Sequence, residues 1–227
     1  MSAERRGRFQ LPEMEGRAAR WYARNRGSAS QMETCRRDAA RLTAGLEPAA
    51  AVLEVAPGPG YLAVEMARSG RLRVTGLDIS HTMVEIATEH ARKSGIEVEF
   101  HRGDVCALPF ATGSFDLVVC QAAFKNFRRP LDALGEIHRV LRAGGRAVIE
   151  DMNRDATKAD VAAEVRAMKL SPVSGLMTRL ILSTTLRRRA YSPARFQRLV
   201  ARSPFHTCRV DTAGMGLEVS LTKEQEA

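Results

Sequence analysis

The stretch Val52-Leu53-Glu54-Val55-Ala56-Pro57-Gly58-Pro59-Gly60-Tyr61-Leu62-Ala63 constrains the fold more than any other part of the chain. Val52, Leu53 and Val55 form a short apolar run that reads as a buried strand, and a proline–glycine cluster ends it abruptly. A helical pattern follows, with Leu62 and Met66 one turn apart. Strand, glycine turn and helix in that order is how an open α/β sheet holds a nucleotide-like ligand. Gly58 and Gly60 lack a Cβ, so the backbone can turn tightly and a ligand can lie against it. Alone the signal is weak, because Gly-x-Gly-x-x-Ala also occurs in dinucleotide enzymes and in ordinary turns.

The rest of the chain supplies the sheet. Two helical patterns precede the glycine stretch. One runs from about Met14 to Arg26 and carries Trp21 and Tyr22. The other has Ser30 and Glu33 in capping-box spacing, with Met32, Cys35, Ala39, Leu42 and Leu46 on one face. Downstream, Leu72 to Asp78 reads as a strand ending in a carboxylate, and Ser80 as the cap of a helix with Met83, Ile86, Ala87 and Ala91 inward. A third strand is expected at Ile96 to Phe100 and a fourth at Phe115 to Cys120, the latter apolar enough to be covered on both faces. A helix from about Leu131 to Leu141, stopped by Gly144-Gly145, leads to a fifth strand at Ala147 to Ile149. Such alternation means a parallel, doubly wound sheet. Beyond it come an apolar helical stretch, a helix opened by Ser192-Pro193, and two β-like runs at His206 to Thr212 and Leu217 to Thr222 that read as an antiparallel pair.

Composition narrows the setting. The 227 residues carry a net charge of +9, with 44% hydrophobic and 27% charged residues, as expected of a globular chain. The arginines are spread along the whole length, which favours a solvated basic surface over a nucleic-acid track. No apolar stretch is long enough to span a bilayer, and no hydrophobic core follows the basic N-terminus, so a cytoplasmic location is the default. Cys35, Cys106, Cys120 and Cys208 are scattered without a CxxC pair, so neither a zinc site nor an iron–sulfur centre is expected.

The strand ends now form a set: Ala56-Pro57-Gly58-Pro59-Gly60, Asp78-Ile79-Ser80, Gly103-Asp104-Val105 and Gln121-Ala122-Ala123-Phe124. With Leu108-Pro109-Phe110, Ser-Phe-Asp-Leu-Val-Val, and His138 to Gly145 in the same order, the chain resembles the class I S-adenosylmethionine-dependent methyltransferases over about Val52 to Asp151. The resemblance is to the small-molecule branch typified by ubiquinone/menaquinone-type enzymes (methyltransferase type 11).

That resemblance implies a Rossmann-like, mostly parallel seven-stranded sheet with the last strand antiparallel. It also implies an N-terminal helical lid or edge segment (1–48), a cofactor-binding core (49–153), a helical insert (154–191) and a C-terminal helix and β-hairpin (192–227). S-adenosyl-L-methionine would be the donor and S-adenosyl-L-homocysteine the product. Ala56, Gly58 and Gly60 would face the methionine part, and Glu54 would anchor the loop or the amino group. Asp78 would accept the ribose hydroxyls, Ile79 and Met83 would sandwich the adenine, and Asp104 with the Val105 backbone would read its edge. Gln121 belongs to the same cofactor set.

No universal catalytic side chain comes with the family, because in-line positioning and water exclusion can carry methyl transfer. Glu150, Gln121 and Lys125 are the weak candidates, with a cap or a contact to the N-terminal segment as the alternative for Glu150. Trp21, Tyr22, Phe124 and Met177 are weak candidates for contacting a small organic acceptor. The insert serves either as a lid or as a subunit contact in a homodimer. Ala56 stands where relatives have glycine, a change of little cost unless that residue needs a positive φ. Competing readings are an RNA methyltransferase and an NAD(P)-dependent oxidoreductase. The first lacks its Asn/Asp-Pro-Pro-Tyr/Phe signature here and the second its Tyr-x-x-x-Lys pair.

Overall fold

The structure, a computed structural model, describes residues 14–167 and 187–225. Its seven strands form one sheet in the order β3-β2-β1-β4-β5-β7-β6. They are β1 (Ala51–Val55), β2 (Arg73–Asp78), β3 (Glu99–Arg102), β4 (Phe115–Gln121), β5 (Leu141–Met152), β6 (Arg209–Ala213) and β7 (Gly216–Thr222). The first five pair in parallel, while β7 runs antiparallel to β5 and to β6. Strand order reverses between β1 and β4, and at such a switch point a crevice opens beyond the carboxyl ends of the strands.

The sheet divides two apolar cores. One face takes Val52, Leu117, Val119 and Val148 and is covered by α2 (Ala29–Thr43) and α3 (Tyr61–Ala67). The other takes Leu53, Val55, Val118, Cys120 and Ile149 and is covered by α5 (Pro130–Val140) together with α7 (Pro193–Val200). This double cover is why β1 and β4 read as unbroken apolar runs. Helix α1 (Gly16–Arg26) precedes these elements, α4 (His81–Ser94) links β2 to β3, and α6 (Lys158–Ala167) follows β5.

Several expected boundaries move, each for a local reason. The capping box of α2 belongs to Ser28 and Gln31, whose side chain and backbone groups satisfy each other, and not to Ser30 and Glu33. The third strand is Glu99–Arg102, because only these residues align with Thr75 to Asp78 of β2. Gly144-Gly145 does not stop a helix. Helix α5 ends at Val140, and the chain enters β5 at once, pairing Leu141 with Phe115 and Arg146 with Leu117 across an irregularity. Gly144, at φ 77°, lies in that irregularity, which absorbs the extra residues on the β5 side.

Candidate active site

The glycine stretch forms a tight loop at the carboxyl end of β1. Ala56, Gly58 and Gly60 have φ of 55°, 55° and 76°, alternating with the two prolines. A Cβ on Gly60 would stand 2.8 Å from both the Ala87 Cβ and the Phe100 ring, so this glycine lets the start of α3 pack against α4 and β3. A Cβ on Gly58 would meet nothing within 4 Å, so the loop is open there. Ala56 does occupy the left-handed region, and its side chain costs about 1–2 kcal/mol relative to an unstrained backbone. The loop holds it there through the Ala56 N–H, which donates to the Leu77 carbonyl at 2.8 Å.

Asp78 ends β2 opposite this loop. One of its oxygens accepts from the Gly58 N–H at 3.0 Å and the other from the Ser80 N–H at 2.9 Å. A carboxylate has about four lone-pair sites, so acceptor capacity remains on both oxygens. Burial pushes its carboxyl above the ordinary range, against the lowering effect of those two N–H donors. Glu54, on β1, is 3% exposed, and its Oε2 meets no partner among the described residues. Burial drives the Glu54 carboxyl up to about 8, helped by the negative charge of Asp78.

Helix α1 lies across the starts of α3 and α4. The Tyr61 hydroxyl donates to the Ala23 carbonyl at 2.9 Å, and the Ser80 hydroxyl donates to the Met14 carbonyl at 2.8 Å. Glu15 caps α4 from outside, accepting from the His81 N–H, the Thr82 N–H and the Thr82 hydroxyl at 2.8, 3.0 and 2.6 Å. With the Ser80 side chain and carbonyl taking the Met83 and Val84 N–H groups, all the orphan donors of the first turn are satisfied. The bond to the Thr82 hydroxyl, with those to the two N–H groups, holds the Glu15 carboxyl down at about 2.

A pH dependence follows from that depressed value. The folded-state carboxyl lies below its unfolded value of 4.5, so its contribution is present above that pH and fades as pH falls toward 2. Glu15→Ala should therefore cost about 1 kcal/mol at neutral pH. In thermal unfolding, the gap between variant and parent should close in acid; a gap constant down to pH 2 would contradict this.

Other expected site residues divide. Ile79 is 41% exposed at the rim beside Asp78, whereas Met83 is buried in the first turn of α4. Asp104 follows β3 and caps the turn Val105–Ala107 by accepting from the Cys106 N–H at 2.9 Å; its other oxygen lies 3.7 Å from Arg129. Val105 is buried. Gln121 and Glu150, at the ends of β4 and β5, are hydrogen-bonded to each other.

Phe124 is a correction. Its ring is wholly buried against Phe127, Tyr191 and Phe196, so it builds the core beneath the strand ends and is closed to an acceptor. Lys125 is another: its ammonium is buried and donates to Asp151 at 2.7 Å and to the Ala122 carbonyl, so it offers no free base. Trp21 is 63% exposed on α1, and Tyr22 is half-buried with Arg26 over its ring at 5.9 Å. Met177, with Leu176, Leu180 and Ile181, lies outside the described residues.

Sequence reasoning missed Asp38 and Arg41. Arg41 bridges Glu150 and Glu218, carboxylates paired across β5 and β7, and sits 3.7 Å from Asp38. Burial, then the charge of Glu150, raises the Asp38 carboxyl. The only local signal was two charged residues one turn apart on a helix, which is ordinary for an exposed face. The four cysteines are free, and no group of three or more metal-ligating side chains converges among the described residues. No helix among them is long and apolar enough to cross a membrane.

Comparison with known proteins gives this arrangement a context. Residues 53–149 match a family model described as a methyltransferase domain. A demethylmenaquinone methyltransferase from Thermus thermophilus is 41% identical over 99 residues, 43% of this chain and 45% of that protein. A ubiquinone/menaquinone biosynthesis C-methyltransferase from Rhizobium meliloti is 41% identical over 102 residues, 43% of this chain and 40% of that one. The similarity thus spans less than half the length of each curated relative. Among solved structures, a SAM-dependent methyltransferase from Aquifex aeolicus superposes with a TM-score of 0.65 at 17% identity, covering 89% of this chain and 97% of its own. At that identity the likeness shows the fold.

Proposed function

From a chain whose residues 53–149 match a model described as a methyltransferase domain, we propose that the protein transfers a methyl group from S-adenosyl-L-methionine to a small organic acceptor. One observation carries the reading: the carboxylate that ends β2 is bonded to the glycine loop that ends β1, at the switch point of the sheet, with lone pairs to spare. The buried, unpartnered Glu54 oxygen fits the same donor, because an ammonium group is the partner such an atom lacks. When bound, the donor supplies a sulfonium-activated methyl group.

The protein's own residues then bind, orient and exclude water. Asp78 holds the ribose hydroxyls, Glu54 faces the amino group, the loop at Gly58 leaves room for the methionine part, and Ile79 and Asp104 meet the adenine. Helix α1, fastened by Glu15 and Tyr61, covers this end of the cleft. Glu150 is bonded to Arg41 and Gln121, so its part in this reading is to orient Gln121 at the strand ends, and no general base is assigned. The names of the relatives make a quinol-type aromatic ring the first acceptor to test. A cytoplasmic enzyme is part of the same reading.

Calorimetric titration tests the donor. S-adenosyl-L-homocysteine should bind saturably and NADH should not; the reverse would overturn the proposal. Glu54 adds a sharper signature. Its raised carboxyl is protonated in the folded protein at pH 7, and contact with an ammonium would ionise it. Binding at pH 7 should therefore release about one proton, seen as a dependence of the measured heat on buffer ionisation enthalpy. The release should vanish in Glu54→Gln and fade as pH rises above about 8. A buffer-independent heat at pH 7 would remove Glu54 from the site.

A further inference from the structure

A groove of about 320 Å³ lies at the opposite end of the sheet from the glycine loop, where Thr222 of β7 pairs with Arg146 near the start of β5. Its walls come from three places: His138 on α5, Pro204, Phe205 and His206 in the turn after α7, and Lys223 beyond β7. Three basic side chains thus line one half-open groove. None of them makes an ion pair among the described residues. Lys223 donates to the Leu141 carbonyl at 2.9 Å, a neutral partner that anchors the ammonium, and Glu224 is the carboxylate among the groove's lining residues. The His138 ring packs edge-on against Phe205 at a centroid distance of 4.9 Å.

Two further observations mark this cluster as more than chance basicity. The His138 imidazole is pushed below the usual histidine range by burial and then by the positive charges of Lys223 and His206. Those two charges are thus felt at His138, and an anion in the groove would offset them. His206 also occupies the left-handed region at φ 57°, where a non-glycine residue is uncommon. Ser203 fixes the turn that holds it, accepting from the His206 N–H at 3.1 Å while its hydroxyl donates to the Val200 carbonyl at 2.8 Å.

We propose that this groove binds a phosphate dianion, free or carried on a small organic molecule, at a site remote from the methyl-transfer cleft. Lys223 supplies charge, the Lys223, His138 and His206 side chains supply N–H donors, the Thr222 hydroxyl adds another, and Phe205 with Pro204 offers an apolar wall for an organic part. The groove is a pocket, not a track. Glu224 stands among its lining residues, so basic groups do not continue past the three named. The proposal rests on no feature of the donor site.

The test is a titration of the whole protein with inorganic phosphate and with phenyl phosphate at constant ionic strength, followed by the histidine side-chain NMR signals. Saturable shifts confined to His138 and His206 are expected. Each of Lys223→Gln and His206→Asn should weaken binding about tenfold, the loss expected for one charge-assisted contact. Asparagine tolerates the left-handed backbone, so the turn should survive.

Tighter binding of phenyl phosphate would assign the site to a phosphomonoester, and equal binding to phosphate itself. Affinity for S-adenosyl-L-homocysteine should stay at the parent value in both variants. Three results would overturn the proposal: shifts that chloride reproduces, binding indifferent to both substitutions, or capture of a single-stranded oligonucleotide with no response to either small probe.

Discussion

Asp78→Ala should lower the affinity for S-adenosyl-L-homocysteine at least about a hundredfold, because it removes an ionised acceptor of two hydroxyls from a water-poor site. The same change strips the Gly58 and Ser80 N–H groups of their partner, at 3.0 and 2.9 Å in the parent protein. Those donors are close to buried, so stability should also fall, by about 1–3 kcal/mol. Two readouts separate the effects. Denaturant unfolding reports the structural cost, and calorimetry on the fraction that remains folded reports binding. Asp78→Asn keeps the shape and one acceptor oxygen, and should recover part of the stability while remaining a poor binder. A folded Asp78→Ala protein with parental affinity would refute the placement of the donor at this strand end.

The largest expected loss of stability lies behind the site. Asp151, 8% exposed, accepts from the Lys125 ammonium at 2.7 Å, the Lys125 N–H at 2.8 Å and the Met152 N–H at 2.7 Å. Asp151→Ala leaves a buried ammonium with only the Ala122 carbonyl, and leaves two backbone donors unpaired. Breaking a buried pair from one side costs about 3–5 kcal/mol. For a chain of this size that is a fall in Tm of about 6–20 °C. Lys125→Met should be milder, since the carboxylate keeps both backbone donors and can take up a proton. The order of the two losses is the test: equal costs, or a larger one for Lys125→Met, would show that the backbone bonds do not matter as argued.

Much of this site could be read before any coordinates. The glycines, Asp78 and Asp104 sit at or just past the ends of successive strands, and in a parallel sheet every such end falls on one edge. The helices of the core were equally visible, since Leu62 with Met66, and Leu134 with Ile137, repeat at helical spacing and bury as that spacing requires. Legibility was poorer where a residue type serves two purposes. Phe124 follows a strand end as a ligand-facing aromatic might, yet its neighbours Tyr191 and Phe196 come from more than sixty residues away and enclose it. Lys125 looked available because its partner, Asp151, sits on β5, 26 positions away.

Spacing within a few residues was enough to set the alternation of strands and helices, the tight loop after β1 and the acids waiting at the ends of β2 and β3, because those patterns depend on backbone period and on the missing Cβ of glycine. Partners across the fold were another matter. Arg41 meets Glu218 from 177 positions away, and Glu15 caps a helix that starts 66 positions later. His138, His206 and Lys223 share a groove only because α5, the turn after α7 and the end of β7 pack side by side. Charged side chains on a helix or strand carry no address in their own neighbourhood, and which of them become capped, clamped or left facing one another is settled by the apolar packing that brings their elements together.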